Sequence, residues 1–575
     1  MKLNNLLICT LVIFHSIVFC KNSSVENSWL ALLDKHDERI HATYHINNII
    51  RNGLPPNEQK RINLLANLGV EIYNNRLISS RQNTLDNTYD SEHFLFHYTL
   101  DQSSNHSISS ADTNNNNIPD YIELMSTTFE SVWVFFEDNL GFTPPPPDGS
   151  NGGSNKYDIY IKNLNSNYFG ITWTTNLIPN SNTRCNSYIE MRNNYDASVF
   201  QGLTESENVK ITAVHEFFHA IQFSYNCYEE FWLMEATAVW SEDELYDDIN
   251  DHYRYMNNWF SRPYASINEE TTHMYGSFIF FQYIDEHLGG PESIRKIWEN
   301  SKNNASSVND ISFSSIENAL QSAGSNLTEA LNSMSIANRI MTNHPDADPY
   351  TYEEANEYPV TVPATISSFS FNYNDQTNFN QNSLKLYASH YYNFDITSPI
   401  RIIINKSTGS IDDIFSSVIY KYKDQNKWQI DKGHDFNIDP NLNLDWISLL
   451  VTASKSTNND LNYSINLSDG YALYIHSNSI RIFPNPISIV NNNLKIKIMS
   501  AYEQNLKVEI YNLHGQNIKN FHNLIPGDGE KVILWNGKNK SDKNISNGVY
   551  IIKFMAGNST IVKKLTVLNS SNRIH

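Results

Sequence analysis

The chain has 575 residues, of which 40% are hydrophobic, 12% aromatic and only 18% charged. This composition excludes a wholly disordered chain, and at about 150 residues per domain the length suggests three to four domains. The 62 acidic residues outnumber the 41 basic ones and give a formal net charge of −21. A surface of this sign repels nucleic acid and anionic lipid, so neither is an expected partner, and it favours bound cations. Four cysteines in so long a chain exclude a fold built on many disulfides.

The first twenty residues predict a cleaved secretion signal. A positively charged start is followed by an apolar run, Leu6–Phe19, which is shorter than the ~20 apolar residues that a membrane-spanning helix needs. An uncleaved amphipathic helix and a lipid anchor on Cys20 are alternatives, although a bulky phenylalanine precedes that cysteine. No later stretch is apolar enough to span a bilayer, so we expect a secreted or cell-surface protein whose mature chain has no transmembrane segment. Cys185 and Cys227 then remain in an oxidising compartment, which predicts one disulfide.

The order of segments along the chain predicts a multidomain α+β protein. Residues 21–90 carry a helical pattern and form either an N-terminal helical layer or a removable pro-segment. Residues 91–345 alternate predicted strands, at 93–100, 156–163 and 170–175, with predicted helices, at 122–140, 209–246 and 274–287. Short apolar runs between Asn, Asp and Ser turns, such as 384–392, 400–404 and 461–467, then predict a β-sandwich at 346–470. Residues 471–575 form a last all-β block.

His215, Glu216 and His219 form the sequence His-Glu-Phe-Phe-His. On a helix, residues four apart share a face, so the two imidazoles can bind one zinc ion while Glu216 acts as the general base of a metallopeptidase. A chance match to this pattern in a chain of this composition is expected roughly 0.03 times. The alternative is an ordinary helix with two hydrogen-bonded histidines. Apolar flanks at 211–214 and 220–223 favour a buried metal-binding helix.

A catalytic zinc needs a third protein ligand. The metzincin pattern is excluded because Gln222 and Tyr225 stand where that class requires Gly and His. Glu235 lies 235 − 219 = 16 residues beyond His219, among apolar neighbours where an unpaired carboxylate would be costly, so we expect it to bind the zinc. The rival carboxylates lie in acidic runs that we expect to be solvated: Glu229, Glu230 and Glu242.

The sequences HEFFHAIQ and WLMEATAVW, with HFLFHYT, DTNNNNIPDYIE and YDIYI upstream, resemble the gluzincin metallopeptidases. The similarity is to secreted bacterial proteins of the Myxococcus-type metalloprotease group and covers about residues 93–300. It implies a zincin-like domain with Glu216 as the base and three zinc ligands: His215, His219 and Glu235. Tyr275 is the best-placed residue to stabilise the transition state, but we favour the alternative that it packs against the following helix.

These features predict a secreted zinc-dependent endopeptidase. The zinc lowers the pKa of its bound water, and Glu216 takes the proton and passes it to the leaving amine. We expect a peptide to add as a strand to an edge of the small sheet, at 156–163. The competing hypothesis is a catalytically inactive surface protein that retains the zincin fold and binds a glycan or protein through the 346–470 sandwich. The intact site favours the enzyme, because a binding protein needs no general base and a purely structural protein needs no such site.

Asp112–Glu123 predicts a calcium loop. Counting Asp112 as position 1, oxygen donors fall at positions 1, 3, 5, 7, 9 and 12. The donors are five side chains and one backbone carbonyl, that of the isoleucine: Asp112, Asn114, Asn116, Ile118, Asp120 and Glu123. Asn117 replaces the usual glycine at position 6 and can adopt the left-handed turn, whereas Pro119 argues against a full EF-hand pair. The alternative is an Asn-rich turn that matches by composition.

The last hundred residues resemble the C-terminal sorting domain of the type IX secretion system. The resemblance rests on FPNP at 483–486, VEIYNLHGQ at 508–516, WNG at 535–537, NGVY at 547–550 and KKL at 563–565. It implies a small β-sandwich that carries cargo across an outer membrane, with the secretion machinery as a partner. The alternative is an ordinary terminal β-sandwich that binds a ligand.

Overall fold

The computed structural model describes Thr43, the strands at 70–73 and 76–79, and most of the chain from 85 to 568. Within that stretch the described ranges are 85–146, 149–164, 167–303, 312–372, 375–406, 410–439, 443–453, 460–470, 480–488, 493–500, 504–525, 529–556 and 559–568. The predicted signal, 1–20, and most of the predicted N-terminal segment, 21–90, lie outside the described residues. The chain divides into two units, Met1–Ala364 and Thr365–His575. The predicted mixed helical and multi-sheet, multidomain class is confirmed.

The first unit contains a two-stranded and a five-stranded sheet. Strands β1 (Val70–Tyr73) and β2 (Arg76–Ser79) form an antiparallel pair. The helical pattern that the sequence predicted for 21–90 is therefore wrong for these two stretches. The larger sheet has the order β3-β4-β5-β7-β6. Its strands are β3 (Asn87–Asp90), β4 (Phe94–Tyr98), β5 (Tyr157–Lys162), β6 (Gly170–Leu177) and β7 (Cys185–Arg192).

Strand β5 lies inside this sheet. It pairs in parallel with β4 on one side and with β7 on the other, and five of its six residues are buried, as is typical of a strand covered on both faces. The expectation that a peptide adds to an edge at 156–163 is therefore wrong, because that edge is already paired. Among the described strands, β3 and the antiparallel strand β6 are at the two edges of the sheet.

Within the described residues, the first unit has nine α-helices from residue 120 onward. They are α1 (Asp120–Val134, continued by a π-turn at Phe135–Asn139), α2 (Glu205–Asn226), α3 (Phe231–Leu245), α4 (Tyr253–Ser261), α5 (His273–Gly276), α6 (Phe278–His287), α7 (Pro291–Asn303), α8 (Ser312–Ser322) and α9 (Leu327–Ile340). Helix α2 begins with a capping box, in which Thr204 and Glu207 each accept a hydrogen bond from the other's backbone N–H. The stretch 209–246, predicted to be helical, contains two helices, α2 and α3. The stretch predicted at 274–287 is likewise divided between α5 and α6.

The first unit continues past the predicted boundary at residue 345. Tyr352 Oη donates a 2.7 Å hydrogen bond to Asn338 Oδ1 on α9, and Tyr283 Oη on α6 donates to Pro349 O at 3.0 Å. Both tyrosines are buried. These bonds fasten the segment after α9 to the helices, and the unit ends at Ala364.

The second unit begins with a sandwich of two sheets, as predicted. The orders are β13-β12-β15-β10-β8 and β14-β11-β16-β9, and residues from both sheets form one hydrophobic core. The predicted strand at 384–392 is wrong, because this stretch contains the end of β9, a turn and the start of β10. The strands are β8 (Ser367–Phe371), β9 (Thr377–Leu384), β10 (Ser389–Ile396), β11 (Ile400–Lys406), β12 (Ile414–Tyr422), β13 (Trp428–Lys432), β14 (Asp435–Ile438), β15 (Leu444–Ala453) and β16 (Leu461–Asp469).

The end of the chain forms a further small sandwich with its own core. The orders of its sheets are β17-β18-β21 and β20-β19-β22-β23. Leu494, Ile496 and Ile498 alternate along β18 and are fully buried, which is the period-two pattern of a strand with one covered face. The strands are β17 (Ile480–Phe483), β18 (Leu494–Ser500), β19 (Gln504–Asn512), β20 (Asn517–Ile525), β21 (Gly529–Trp535), β22 (Gly548–Ala556) and β23 (Ser559–Val567).

Candidate metal centre

Helices α2 and α3 bring the three predicted zinc ligands together. His215 Nε2 and His219 Nε2 are 3.2 Å apart, Glu235 Oε2 lies 3.4 Å from His215 Nε2, and Glu235 Oε1 lies 3.5 Å from His219 Nε2. All three side chains are buried. Ligands about 2.0–2.2 Å from a tetrahedral zinc ion lie about 3.3–3.6 Å from one another. The donor set and its spacing therefore fit zinc.

The other nitrogen of each imidazole has a hydrogen-bond partner. His215 Nδ1 lies 2.7 Å from Glu242 Oε1, and His219 Nδ1 lies 2.8 Å from Gln222 Oε1. The Gln222 amide is held in turn, because its Nε2 donates to Met234 O at 2.8 Å and to Thr237 Oγ1 at 3.0 Å. With both Nδ1 atoms donating, the Nε2 lone pairs point to the centre, which is the arrangement that metal-binding histidines use.

The charges around the centre favour a cation. Burial alone lowers the pKa of His215, but its hydrogen bonds to Glu235 and Glu242 outweigh burial and raise that pKa to about 10. Burial likewise raises the pKa of Glu235, but His219 and His215 outweigh it and lower the value to about 2. The same negative field that holds a proton on an imidazole would hold a divalent ion in the proton's place.

Glu216 lies against the edge strand β6. Its Oε2 accepts hydrogen bonds from Thr172 Oγ1 and from Thr43 Oγ1, both at 2.7 Å, and Thr43 Oγ1 accepts from Thr172 N at 2.8 Å. Glu216 Oε1 is buried and has no hydrogen-bond partner among the described residues. A side chain at Gly170 would bring a Cβ to 2.8 Å from Glu216 Cγ and 2.9 Å from Thr212 Cγ2, so only glycine lets β6 approach α2 this closely.

Two of the rival glutamates are buried, which corrects the expectation that they are solvated. Glu229 is fully buried and accepts hydrogen bonds from Ser301 Oγ at 2.6 Å and Ser312 Oγ at 2.7 Å. Glu242, also fully buried, is the partner of His215. The sequence argument names Glu242 only as a rival ligand and does not predict this contact with His215. The seven-residue spacing of Glu242 from Glu235, which places both on one face of α3, was the available signal.

Tyr275 packs in the helical layer. It lies on α5, is buried, and stacks its ring on that of Tyr255 with the centroids 5.0 Å apart. This contact is with the preceding helix, α4, whereas the sequence argument favoured packing against the following helix.

A disulfide links the five-stranded sheet to helix α2. It joins Cys185, the first residue of β7, to Cys227, which caps the end of α2, with the Cα atoms 5.8 Å apart. The adjacent backbone is fixed as well, because Cys227 N donates to Thr183 O at 2.8 Å.

The predicted calcium loop folds around its own acidic side chains. Asn114 Nδ2 and Asn116 Nδ2 donate to the Glu123 carboxylate at 2.7–3.0 Å, so loop positions 3, 5 and 12 meet. Asp112, at position 1, accepts from the backbone N–H groups of Asn116 and Asn117 at 3.1 and 2.8 Å. Asn117 adopts φ 66°, the left-handed conformation expected at position 6.

Asp120, at position 9 of the loop, is the first residue of α1. It accepts hydrogen bonds from Thr113 N at 2.8 Å and from Thr113 Oγ1 at 2.6 Å, and these bonds lower its pKa. Its carboxylate is therefore ionised at neutral pH. Oxygen-rich, ionised side chains in this order are what Ca²⁺ requires, and the carbonyl of Ile118 remains the expected donor at position 7.

Two family models match the chain. One is described as a family of unknown function (DUF6055) and matches residues 65–312, and the other is the secretion system C-terminal sorting domain and matches residues 481–568. A search of curated proteins found no match.

Three solved structures show partial similarity. PorZ, a surface component of the type IX secretion system of Porphyromonas gingivalis, is 14% identical over 18% of this chain and 14% of its own, with a TM-score of 0.14. Dimeric latent PorU from the same organism is 13% identical over 36% of this chain and 19% of its own, with a TM-score of 0.15. The adhesin domain of Epf from Streptococcus pyogenes is 9% identical over 34% of this chain and 78% of its own, with a TM-score of 0.17. The chain thus covers less than a fifth of PorZ and PorU, and similarity this low carries no argument about function.

The sorting-domain match coincides with the last sandwich, whose strands run from Ile480 to Val567. Within the described residues, none of the helices combines the length and apolar character that crossing a membrane requires. The chain carries a type IX secretion C-terminal sorting domain and is delivered by that system to the cell surface or the exterior.

Proposed function

We propose that the first unit is a zinc-dependent endopeptidase with the zinc bound by His215, His219 and Glu235. The observation that supports this most directly is the convergence of three donor atoms at 3.2–3.5 Å, with both imidazoles held by their Nδ1 atoms. Glu216 supplies the second element, because it is a buried carboxylate with one unpartnered oxygen among the described residues, on the same helix as the two histidines.

The chemistry follows from the roles of these groups. Zinc in such a site polarises a water molecule and a peptide carbonyl as a Lewis acid. Glu216 accepts the proton of the attacking water and then delivers it to the nitrogen of the leaving amine, so the carboxylate ends the cycle as it began. Burial around Glu216 excludes bulk water, which strengthens its electrostatic interactions with the reacting groups. Thr172 Oγ1 fixes the position of the Glu216 carboxylate through its 2.7 Å contact with Oε2.

The substrate that this site favours is an extended peptide. Strand β6 is an edge strand of the sheet in the part of the chain that the structure describes, and Thr172 of this strand contacts the proposed base. An extended chain can add to such an edge through backbone hydrogen bonds, which is how peptides commonly bind exposed strands. The position next to Thr172 N is filled by Thr43 Oγ1, so a peptide that pairs there would have to displace Thr43.

Rate and metal content, measured together, test this proposal. Glu216→Gln should retain one zinc at the centre, because no ligand is lost, while peptide hydrolysis should fall about 10²-fold or more. Glu235→Gln should lower both the zinc content and the rate. Glu205→Gln, an exposed change on the first turn of the same helix, should alter neither. Hydrolysis at the parent rate by purified Glu216→Gln would refute the peptidase and leave a surface protein that binds a glycan or protein without turnover.

A further inference from the structure

A second cluster of potential metal ligands lies in the first unit. Asp243 is in the last turn of α3, His252 immediately precedes α4, and Glu354 follows α9, yet their donor atoms all lie within 4.8 Å of one another. His252 Nε2 is 3.5 Å from Asp243 Oδ1 and 3.8 Å from Glu354 Oε2. Three separate parts of the unit thus direct nitrogen and oxygen donors to one point.

In the described part of the chain, the ring nitrogens of His252 are buried without hydrogen bonds. The residue itself is fully buried. The ring contacts Tyr253 and Phe278, with centroid distances of 4.7 and 5.0 Å, so packing fixes its orientation. A buried polar group without a partner is costly, and a ligand on Nε2 would remove part of that cost.

Each of the two carboxylates also has a buried oxygen that lacks a hydrogen bond to the described residues. These oxygens are Asp243 Oδ1 and Glu354 Oε2. Burial and then nearby acidic groups raise the pKa of Asp243 to about 8 and that of Glu354 to about 7, while burial lowers the pKa of His252 to about 4. The imidazole is therefore neutral at neutral pH, with a free lone pair, and the carboxylates repel each other unless a proton or a cation lies between them.

We propose that Asp243, His252 and Glu354 form a second metal site, which binds a divalent transition-metal ion such as zinc or manganese. An imidazole ligand favours these ions over Ca²⁺ and Mg²⁺, which prefer oxygen donors alone. The site shares no ligand with the first centre. Asp243 lies 243 − 235 = 8 residues beyond Glu235 on α3, or roughly 12 Å along the helix. A bound ion joins α3 to α4 and to the chain after α9, and so holds the helix that carries Glu235.

Zinc stoichiometry of the full-length protein tests this site. At a buffered free zinc concentration, elemental analysis should give two equivalents per chain for the parent protein and one for Glu354→Gln. That substitution keeps the size of a partly exposed side chain outside any helix or strand. His252→Gln should also bind one equivalent. Glu357→Gln, an exposed change three residues beyond Glu354, is the matched control and should keep two.

A variant that lacks the first centre separates the two sites. The double change His215→Ala with His219→Ala should retain one equivalent of zinc, and zinc should raise its melting temperature. Adding Glu354→Gln to that variant should abolish both the bound zinc and the thermal shift. Parent stoichiometry in both Glu354→Gln and His252→Gln would overturn the proposal even if the double variant failed to fold, whereas one equivalent in the parent that is lost in Glu354→Gln would count against the first centre alone.

Discussion

Each histidine of the candidate metal centre has a hydrogen-bond partner that is not itself a proposed ligand. Glu242 holds His215, and Gln222 holds His219, in both cases through Nδ1. Such partners fix the tautomer in which Nε2 can bind a metal, so we expect them to affect metal affinity without being ligands. Gln222 and Glu242 lie on the same two helices as the proposed ligands, so α2 and α3 supply both the ligands and the residues that orient them.

Glu242→Gln should weaken zinc binding about 10- to 100-fold, because it removes the charge that supports His215 while keeping the side chain's size. Glu229→Gln is the matched control, since Glu229 is equally buried but hydrogen bonds to Ser301 and Ser312 instead. Zinc affinity measured by competition with a chelator compares the two variants. Equal affinities would show that Glu242 has no supporting role.

His215, His219 and Glu235 could be singled out from the sequence as candidate ligands because their signals are local. His215 and His219 are spaced by one helical turn, and Glu235 stands out as a charge among apolar residues. The burial of Glu229 could not be predicted in this way, and that of Glu242 was indicated only by its seven-residue spacing from Glu235. Both lie in acidic stretches that resemble solvated surface, and only the packing of distant elements, such as Ser301 and Ser312 onto Glu229, encloses them.

The approach of strand β6 to helix α2 positions the proposed base. The absence of a side chain at Gly170 allows this approach, and Thr172 then reaches Glu216. The sequence predicted that 156–163 and 170–175 are strands, because alternation is a local pattern. It did not predict that the strand at 157–162 is interior, because the order of strands in a sheet depends on pairings between distant residues.

The loop Asp112–Glu123 is the element for which a cation can be tested directly. Excess calcium should raise the melting temperature of the protein, since a free calcium concentration 100 times the Kd stabilises the folded state by about 2.7 kcal/mol. Asp112→Ala combined with Asp120→Ala should abolish the shift, because both carboxylates are lost from the loop. Asp101→Ala, an exposed change in the preceding loop, should leave it intact. A calcium response unchanged in the double variant would refute the loop assignment.

At the scale of the whole molecule, export and the proposed chemistry belong to different parts of the chain. The metal centre lies in the unit Met1–Ala364, and the sorting domain occupies residues 481–568 of the other unit. The last sandwich has its own hydrophobic core, separate from the core of the preceding sandwich. Its sequence motifs predicted both its fold and its role, because they are contiguous and occur in a fixed order.

A chain that ends at Asp469 should keep its zinc and its peptidase activity, since it retains the first unit and the sandwich of β8–β16. In a host with the type IX system it should accumulate in the periplasm, because the sorting domain is missing. Cell fractionation and activity assays on each fraction measure both outcomes. Delivery of the shortened chain to the surface at the parent level would contradict the division of roles.

Thr43 gives the proposed enzyme a tethered competitor. Its hydroxyl bonds to Glu216 and accepts from the N–H of Thr172, so it satisfies both the base and the strand edge that a peptide would use. Because Thr43 belongs to the same chain, its effective concentration at the site is set by the tether and not by the amount of protein, and dilution does not release it. A free peptide must therefore compete with a local concentration that does not fall on dilution, whereas one cut between Thr43 and the five-stranded sheet would make that competitor an ordinary dissociating ligand.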